Sequence, residues 1–194
     1  MKVKRHVKAD KCAEAARIFK EAFSLKLKGI LGTDKQIEEV ILQALNRREV
    51  LVVYAADKRV IGVAAYQYNK RISLAISLKV LLNVYGFFQG TYKMFLLAKY
   101  FPNKARAGML YLDAVAVDQA YRGQGVGKLL LAELENLAKE KQLSCLGLDV
   151  IEENHQAKKL YELEGYREDY YKELGQGARK ILGFKGYYHM IKRF

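Results

Sequence analysis

The stretch from Met109 to Val117 is apolar at every position except Asp113, and the turn Arg122-Gly123-Gln124-Gly125-Val126-Gly127 follows it. An apolar run of this length, bounded by a turn, reads as a buried strand. Beyond the turn, Leu129, Leu130, Leu134 and Leu137 recur at helical spacing, which predicts a helix from near Lys128 to about Lys141 with these leucines facing the core. A buried strand that passes through a glycine turn into an amphipathic helix must pack that helix back onto its own sheet. The chain is therefore confined to the α/β class.

The flanking segments extend this reading. Val3 to Val7 reads as a short strand. Asp10 is a candidate N-cap for a helix to about Ser24, with Ala13, Ala16, Ile18, Phe19, Ala22 and Phe23 as its apolar face. Gly29 and Gly32 mark a break. Thr33 or Asp34 then caps a second helix that buries Ile37, Val40, Ile41, Ala44 and Leu45. Val50 to Ala56 and Val60 to Tyr68 form a hairpin about Asp57-Lys58. Cys145 to Ile151 is another strand, and Asn154 opens a short helix that ends near Gly165. Tyr166 to Glu173 and Gly186 to Phe194 are the last strands, joined by a loop around Gly175, Gly177 and Gly183. This order predicts a mixed sheet of about seven strands flanked by helices, within one domain of residues 1–194.

An apolar helical insert at about 71–101 interrupts the pattern. Lys79, Asn83, Gln89 and Lys93 are among its few polar side chains and lie near one helix face. A membrane-spanning helix needs about 20 apolar residues, more than lie between Lys79 and Lys93. The insert is therefore read as a buried or partner-covered helix beside a pocket. A dimer contact and a membrane surface rank behind that reading.

Composition narrows the partners. The chain has 194 residues, is 51% hydrophobic, and sets 34 Lys plus Arg against 21 Asp plus Glu, for a formal charge of +13. That excess favours an anionic partner, but the basic residues are spread along the chain and form no arm. Nucleic-acid binding is thus not expected, and a polycationic partner fits poorly. Cys12 and Cys145 form no CxxC pair and read as small apolar residues of a helix and a strand. Three histidines without metal spacing predict no metal site. A reducing cytoplasm is the expected compartment.

The glycine turn carries the chemistry. Glycine admits a ligand close to the backbone, and the first amides of a helix lack internal partners and lie at the positive end of its dipole. Together they suit a pyrophosphate, with Arg122 and Lys128 as added charge. The turn lacks the GxxxxGK[ST] spacing and the full GxGxxG with its following acid. Taken alone, it stays open between a phosphate cradle and a tight bend.

The second half adds a second motif. Arg122-x-x-Gly125-x-Gly127 resembles the acetyl-CoA signature of the GCN5-related N-acetyltransferases, the GNAT family. Asn154-x-x-Ala157-x-x-Leu160-Tyr161-x-x-x-Gly165-Tyr166 is similar to that family's later motif. The resemblance is sharp from Met109 to Tyr171, extends more loosely over Val3 to Tyr68, and does not cover the insert.

The resemblance implies a GNAT-like, mostly antiparallel sheet and direct transfer of an acetyl group from acetyl-CoA to an amine. It implies that Val115, Ala116 and Val117 offer backbone groups to the pantetheine arm. The amides of Arg122, Gly123, Gln124, Gly125, Val126, Gly127 and Lys128 would hold the pyrophosphate, and Asn154 would lie near the arm. Tyr161 takes the place of the acid that protonates the departing thiolate. Asp113 is the candidate base or acceptor-binding carboxylate, with Asp149, Glu152 and Glu153 behind it, and water alone can serve some members. His155 falls on an exposed first turn. A catalytically silent CoA-binding module is the alternative, and a nucleic-acid-binding protein ranks below it. The acceptor amine is not named by any motif.

Overall fold

The computed structural model describes residues 1–69, 71–101 and 107–194. Its frame is one sheet of eight strands: β1 (Lys2–Lys4), β2 (Val50–Tyr54), β3 (Val60–Tyr68), β4 (Arg71–Ile72), β5 (Met109–Val117), β6 (Cys145–Ile151), β7 (Arg167–Glu173) and β8 (Gly186–Arg193). The strand order is β1-β2-β3-β5-β6-β8-β7, with the two-residue β4 on the edge of β3. Among the described residues only β5 and β6 run parallel; the remaining pairs are antiparallel. The eighth strand beyond the expected seven is β4.

Alternation sends successive side chains to opposite faces. Val50 and Val52 join Phe19, Ile37 and Ile41 on one face, under α1 (Cys12–Leu31) and α2 (Asp34–Ala44). Leu51 and Val53 join Leu110, Leu112, Leu146 and Leu148 on the other, under α4 (Val126–Glu140). The first face also receives α3 (Leu78–Tyr100) and α6 (Gln176–Leu182), and the second receives Tyr161 of α5 (His155–Leu163).

Several expectations change in detail. The first helix runs past Ser24 to Leu31, because Leu27, Ile30 and Leu31 continue its buried stripe. Asp10 lies in a short 3₁₀ turn ahead of it and makes no cap, while Thr33 caps α2 through a reciprocal bond pair with Gln36. The chain leaves α1 only at Gly32, with φ at 93°. The helix α4 starts at Val126, two residues before Lys128, because Gly62 on β3 leaves room for the Val126 side chain: a Cβ at Gly62 would lie 2.5 Å from it. That phase buries Leu131 and turns Leu129 out to 41% exposure. The loop around Gly177 holds α6. Both cysteines are half-buried.

The insert is not helical from residue 71. Arg71 and Ile72 pair with β3, and the helix begins after Ser77, whose hydroxyl accepts from the Val80 amide. It breaks at Gly86, where φ is 73°. Gly90 then lets the second segment cross the backbone of Leu81, whose carbonyl oxygen a Cβ would meet at 2.8 Å. Among the described residues, no helix is long and apolar enough to cross a membrane.

Gly29, expected to break a helix, lies inside α1 where α6 touches it; a Cβ there would overlap the Ile181 carbonyl. Helix propensity alone favours Gly29→Ala by about 1 kcal/mol. Packing predicts the opposite sign, a loss of about 1–3 kcal/mol. Urea unfolding decides between them, and a raised midpoint would contradict the close α1–α6 seat.

Candidate active site

β5 and β6 pair from Met109↔Cys145 to Leu112↔Leu148 and then part. Both strands continue, β5 to Val117 along β3 and β6 to Ile151 along β8. Asp113 is the residue at which β5 changes register: Tyr66 pairs with Leu112, while Ala65 pairs with Ala114. Such a bulge adds one residue and reverses the alternation after it. Tyr111 and Asp113 line a cleft on the α1 face, where Ala114 and Ala116 also lie, while Val115 and Val117 turn to the α4 face. The parting opens a wedge in the sheet whose β5 edge, from Asp113 to Val117, is about 13 Å long at the rise of a strand.

A lysine of α1 sits at the apex. The Lys26 ammonium donates to the carbonyl of Asp149 at 3.0 Å and to that of Asp113 at 3.4 Å, the first residues past the ladder on each strand. Burial pushes its pKa below the ordinary lysine range, and the Asp113 carboxylate opposes that shift.

The open edge of β5 leads to the glycine turn. Gly123 and Gly125 have φ of 75° and 81°, and a Cβ at either would meet nothing within 4 Å. Gly127 is inside α4, and a Cβ there would come within 3.3 Å of Leu160. The first backbone bond of α4 is that of Leu129 to the Gly125 carbonyl; among the described residues nothing accepts from the amides of Gly123 to Lys128. The side chains of the turn are already engaged. Arg122 binds Glu21 at 2.5 Å and the Val117 carbonyl at 3.2 Å, Gln124 donates to Ala120, and Lys128 lies 3.2 Å from Glu164. An anion at this turn would meet backbone amides before charged side chains, an arrangement that suits a phosphate.

Beside the wedge lie the residues of the second motif. Asn154 caps α5, its Oδ1 accepting from Ala157 at 3.2 Å, so the capping role is filled and its NH₂ remains a donor. Tyr161 is buried, edge-on to Tyr166 at 5.6 Å, and burial pushes its pKa up to about 12. Among the described residues nothing accepts a hydrogen bond from its hydroxyl. At neutral pH its phenol is protonated and has a proton to give.

On the α1 face the cleft has a volume of about 940 Å³. One wall is apolar, with Phe23, Leu27, Met94 and Leu97 from α1 and α3. The floor is polar. Asp113 Oδ1 accepts from Gln67 at 2.7 Å. His189 Nδ1 lies 2.7 Å from Asp149 Oδ1, and the imidazole stacks on Tyr170 at 4.9 Å and Tyr111 at 6.3 Å. Glu152 and Glu153 have other work: Glu152 accepts from the Tyr171 hydroxyl and Glu153 from the Lys185 amide. His155 is exposed at the start of α5. Sequence reasoning placed Asp113 and Asp149 but missed His189, Lys26 and Gln67. His189 becomes visible only through the β6–β8 register that sets it opposite Asp149.

Comparison with known proteins identifies the family and the fold. The acetyltransferase (GNAT) family model matches residues 15–166. The GCN5-related N-acetyltransferase 4, chloroplastic, of Arabidopsis thaliana is 34% identical over 98 residues, which is 48% of this chain and 33% of that protein. The chain thus spans about a third of the length of the curated relative it matches. The ribosomal-protein-alanine N-acetyltransferase from Brucella melitensis superposes with a TM-score of 0.63 at 20% identity, covering 100% of both chains. The PaiA N-acetyltransferase from Thermoplasma acidophilum, solved in complex with coenzyme A, does so with a TM-score of 0.58 at 14% identity, again over 100% of both. At these identities the structural likeness is one of fold.

The Lys26 bridge makes a prediction. Lys26→Met keeps the length of the side chain but leaves the Asp113 and Asp149 carbonyls without their ammonium donor. Stability in urea should fall by about 1–3 kcal/mol. Unchanged or higher stability would mean that the ammonium does not hold the apex.

Proposed function

The chain belongs to the acetyltransferase (GNAT) family, and we propose that residues 1–194 form one domain that moves an acetyl group directly from acetyl-CoA to an amine. The observation that carries this reading is the continuous backbone track from the unpartnered amides of Gly123 to Lys128, along the open edge of β5, to the polar floor at Asp113. A relative of this fold was solved with coenzyme A, which supports the same donor here. Bound, the donor supplies an activated thioester carbonyl.

The residues then divide the work. The amides of Gly123 to Lys128 bind the pyrophosphate, that of Arg122 being spent on the Gln119 carbonyl, and the edge groups of Val115, Ala116 and Val117 receive the pantetheine arm. The Asn154 NH₂ steadies that arm. Tyr161 gives its proton to the departing sulfur, since burial keeps it protonated until pH rises through about 12. Asp113, held as an acceptor by Gln67, anchors the incoming ammonium. Asp149 lies beside Nδ1 of His189, and this imidazole–carboxylate pair on the cleft floor takes the amine's proton. The apolar wall and the basic surface favour an amine with an apolar body over a polyamine.

Release of free thiol from acetyl-CoA in the presence of amines tests this. Apolar monoamines should be turned over faster than polyamines. Tyr161→Phe should lower kcat by roughly 10²–10⁴-fold with little change in acetyl-CoA affinity. His189→Gln should lower kcat, and the loss should narrow at high pH, where more of the amine is already neutral. Binding of acetyl-CoA without turnover of any amine would favour a silent CoA-binding module instead.

A further inference from the structure

The break at Gly86 turns the second segment of α3 outward. Phe87, Phe88, Tyr92 and Phe95 there are 70%, 85%, 61% and 62% exposed. Single exposed apolar residues are ordinary, but four aromatic rings clustered on one short segment mark an interaction surface. Phe88, Tyr92 and Phe95, spaced i, i+4 and i+7, share one face of the helix.

The segment's own charge has one sign, although Glu39 of α2 approaches α3 through Gln43 and Asn83. From Lys58 to Leu112 the chain contains no Asp or Glu and nine Lys or Arg. Lys79 and Lys99 stand exposed toward the two ends of α3, and neither forms an ion pair among the described residues. The lysine within the aromatic segment is folded inward: Lys93 Nζ donates to the Ile30 carbonyl at 2.6 Å and lies 4.5 Å from the Tyr85 ring centre. Lys99 thus stands one turn beyond Phe95 on the segment of the rings, and Lys79 stands exposed on the segment before the break. A second copy of the chain would set these lysines against their like, with no acid in the segment to pair them. An anionic bilayer offers apolar depth to the rings and negative charge to the lysines.

We propose that α3 docks flat on an anionic membrane surface, with Phe87, Phe88, Tyr92 and Phe95 entering the headgroup layer and Lys79 and Lys99 resting on lipid phosphates. The opposite face of the same helix gives Met94 and Leu97 to the cleft, so the docking surface and the acceptor wall belong to one element. The docking itself depends on no catalytic residue.

Co-sedimentation of the full chain with vesicles, without acetyl-CoA, tests it. Vesicles of phosphatidylcholine mixed with phosphatidylserine should pellet the protein, those of phosphatidylcholine alone should pellet much less, and added salt should weaken the binding. Phe88→Ser combined with Phe95→Ser should weaken binding at least about tenfold while leaving the thermal melt in place, since both side chains are exposed. Lys79→Glu combined with Lys99→Glu should remove the preference for phosphatidylserine. Failure to pellet with either vesicle overturns the proposal, as does binding that ignores lipid charge and both variants. A concentration-dependent dimer that the Phe variant abolishes, without vesicle binding, would assign the face to a second copy and overturn it too.

Discussion

The parting of β5 from β6 is the constraint on which the rest of this molecule depends. Backbone amides and carbonyls inside a fold require partners, and two parallel strands that separate in the middle of a sheet forfeit them. The chain meets that demand with unlike devices. The bulge at Asp113 re-aims β5. The Lys26 ammonium satisfies one carbonyl on each strand at the apex. Arg122 covers the carbonyl at the far end of β5. Between these points β5 is not paired with β6.

The bulge also sorts the chemistry by face. Because alternation reverses at Asp113, the acid and Tyr111 open toward the cleft, while Val115 and Val117 join the α4 face that holds Tyr161. The phenol on one face and the imidazole–carboxylate pair on the other thus flank the same wedge. Burial keeps the Tyr161 phenol protonated at neutral pH, whereas at Lys26 it opposes the charged form that holds the Asp113 and Asp149 carbonyls. In the proposed reaction the sheet would keep the proton donor for the sulfur apart from the proton acceptor for the amine.

Much of this frame was legible in the residues. The apolar runs fixed β3, β5 and β6 at the bounds observed, because strands buried on both faces leave little choice of period. Asn154 as a cap followed from its side-chain chemistry. What escaped depends on long-range register. Leu129 and Leu131 could not be told apart until Gly62 admitted Val126 and set the phase of α4. Gly29 looked like a break because its packing partner, Ile181, lies far along the chain. The pairing of His189 with Asp149 and the reach of Lys26 to two separate strands are properties of the assembled sheet, and no local pattern encodes them.

The central claim is that the wedge and the glycine turn together seat acetyl-CoA through backbone groups. Residue-resolved amide hydrogen exchange, with and without acetyl-CoA, tests this most directly. The account predicts added protection at Gly123 to Lys128 and at Ala114 to Val117, with β7 unchanged. Binding of acetyl-CoA that left the amides of the glycine turn exchanging as before would contradict it.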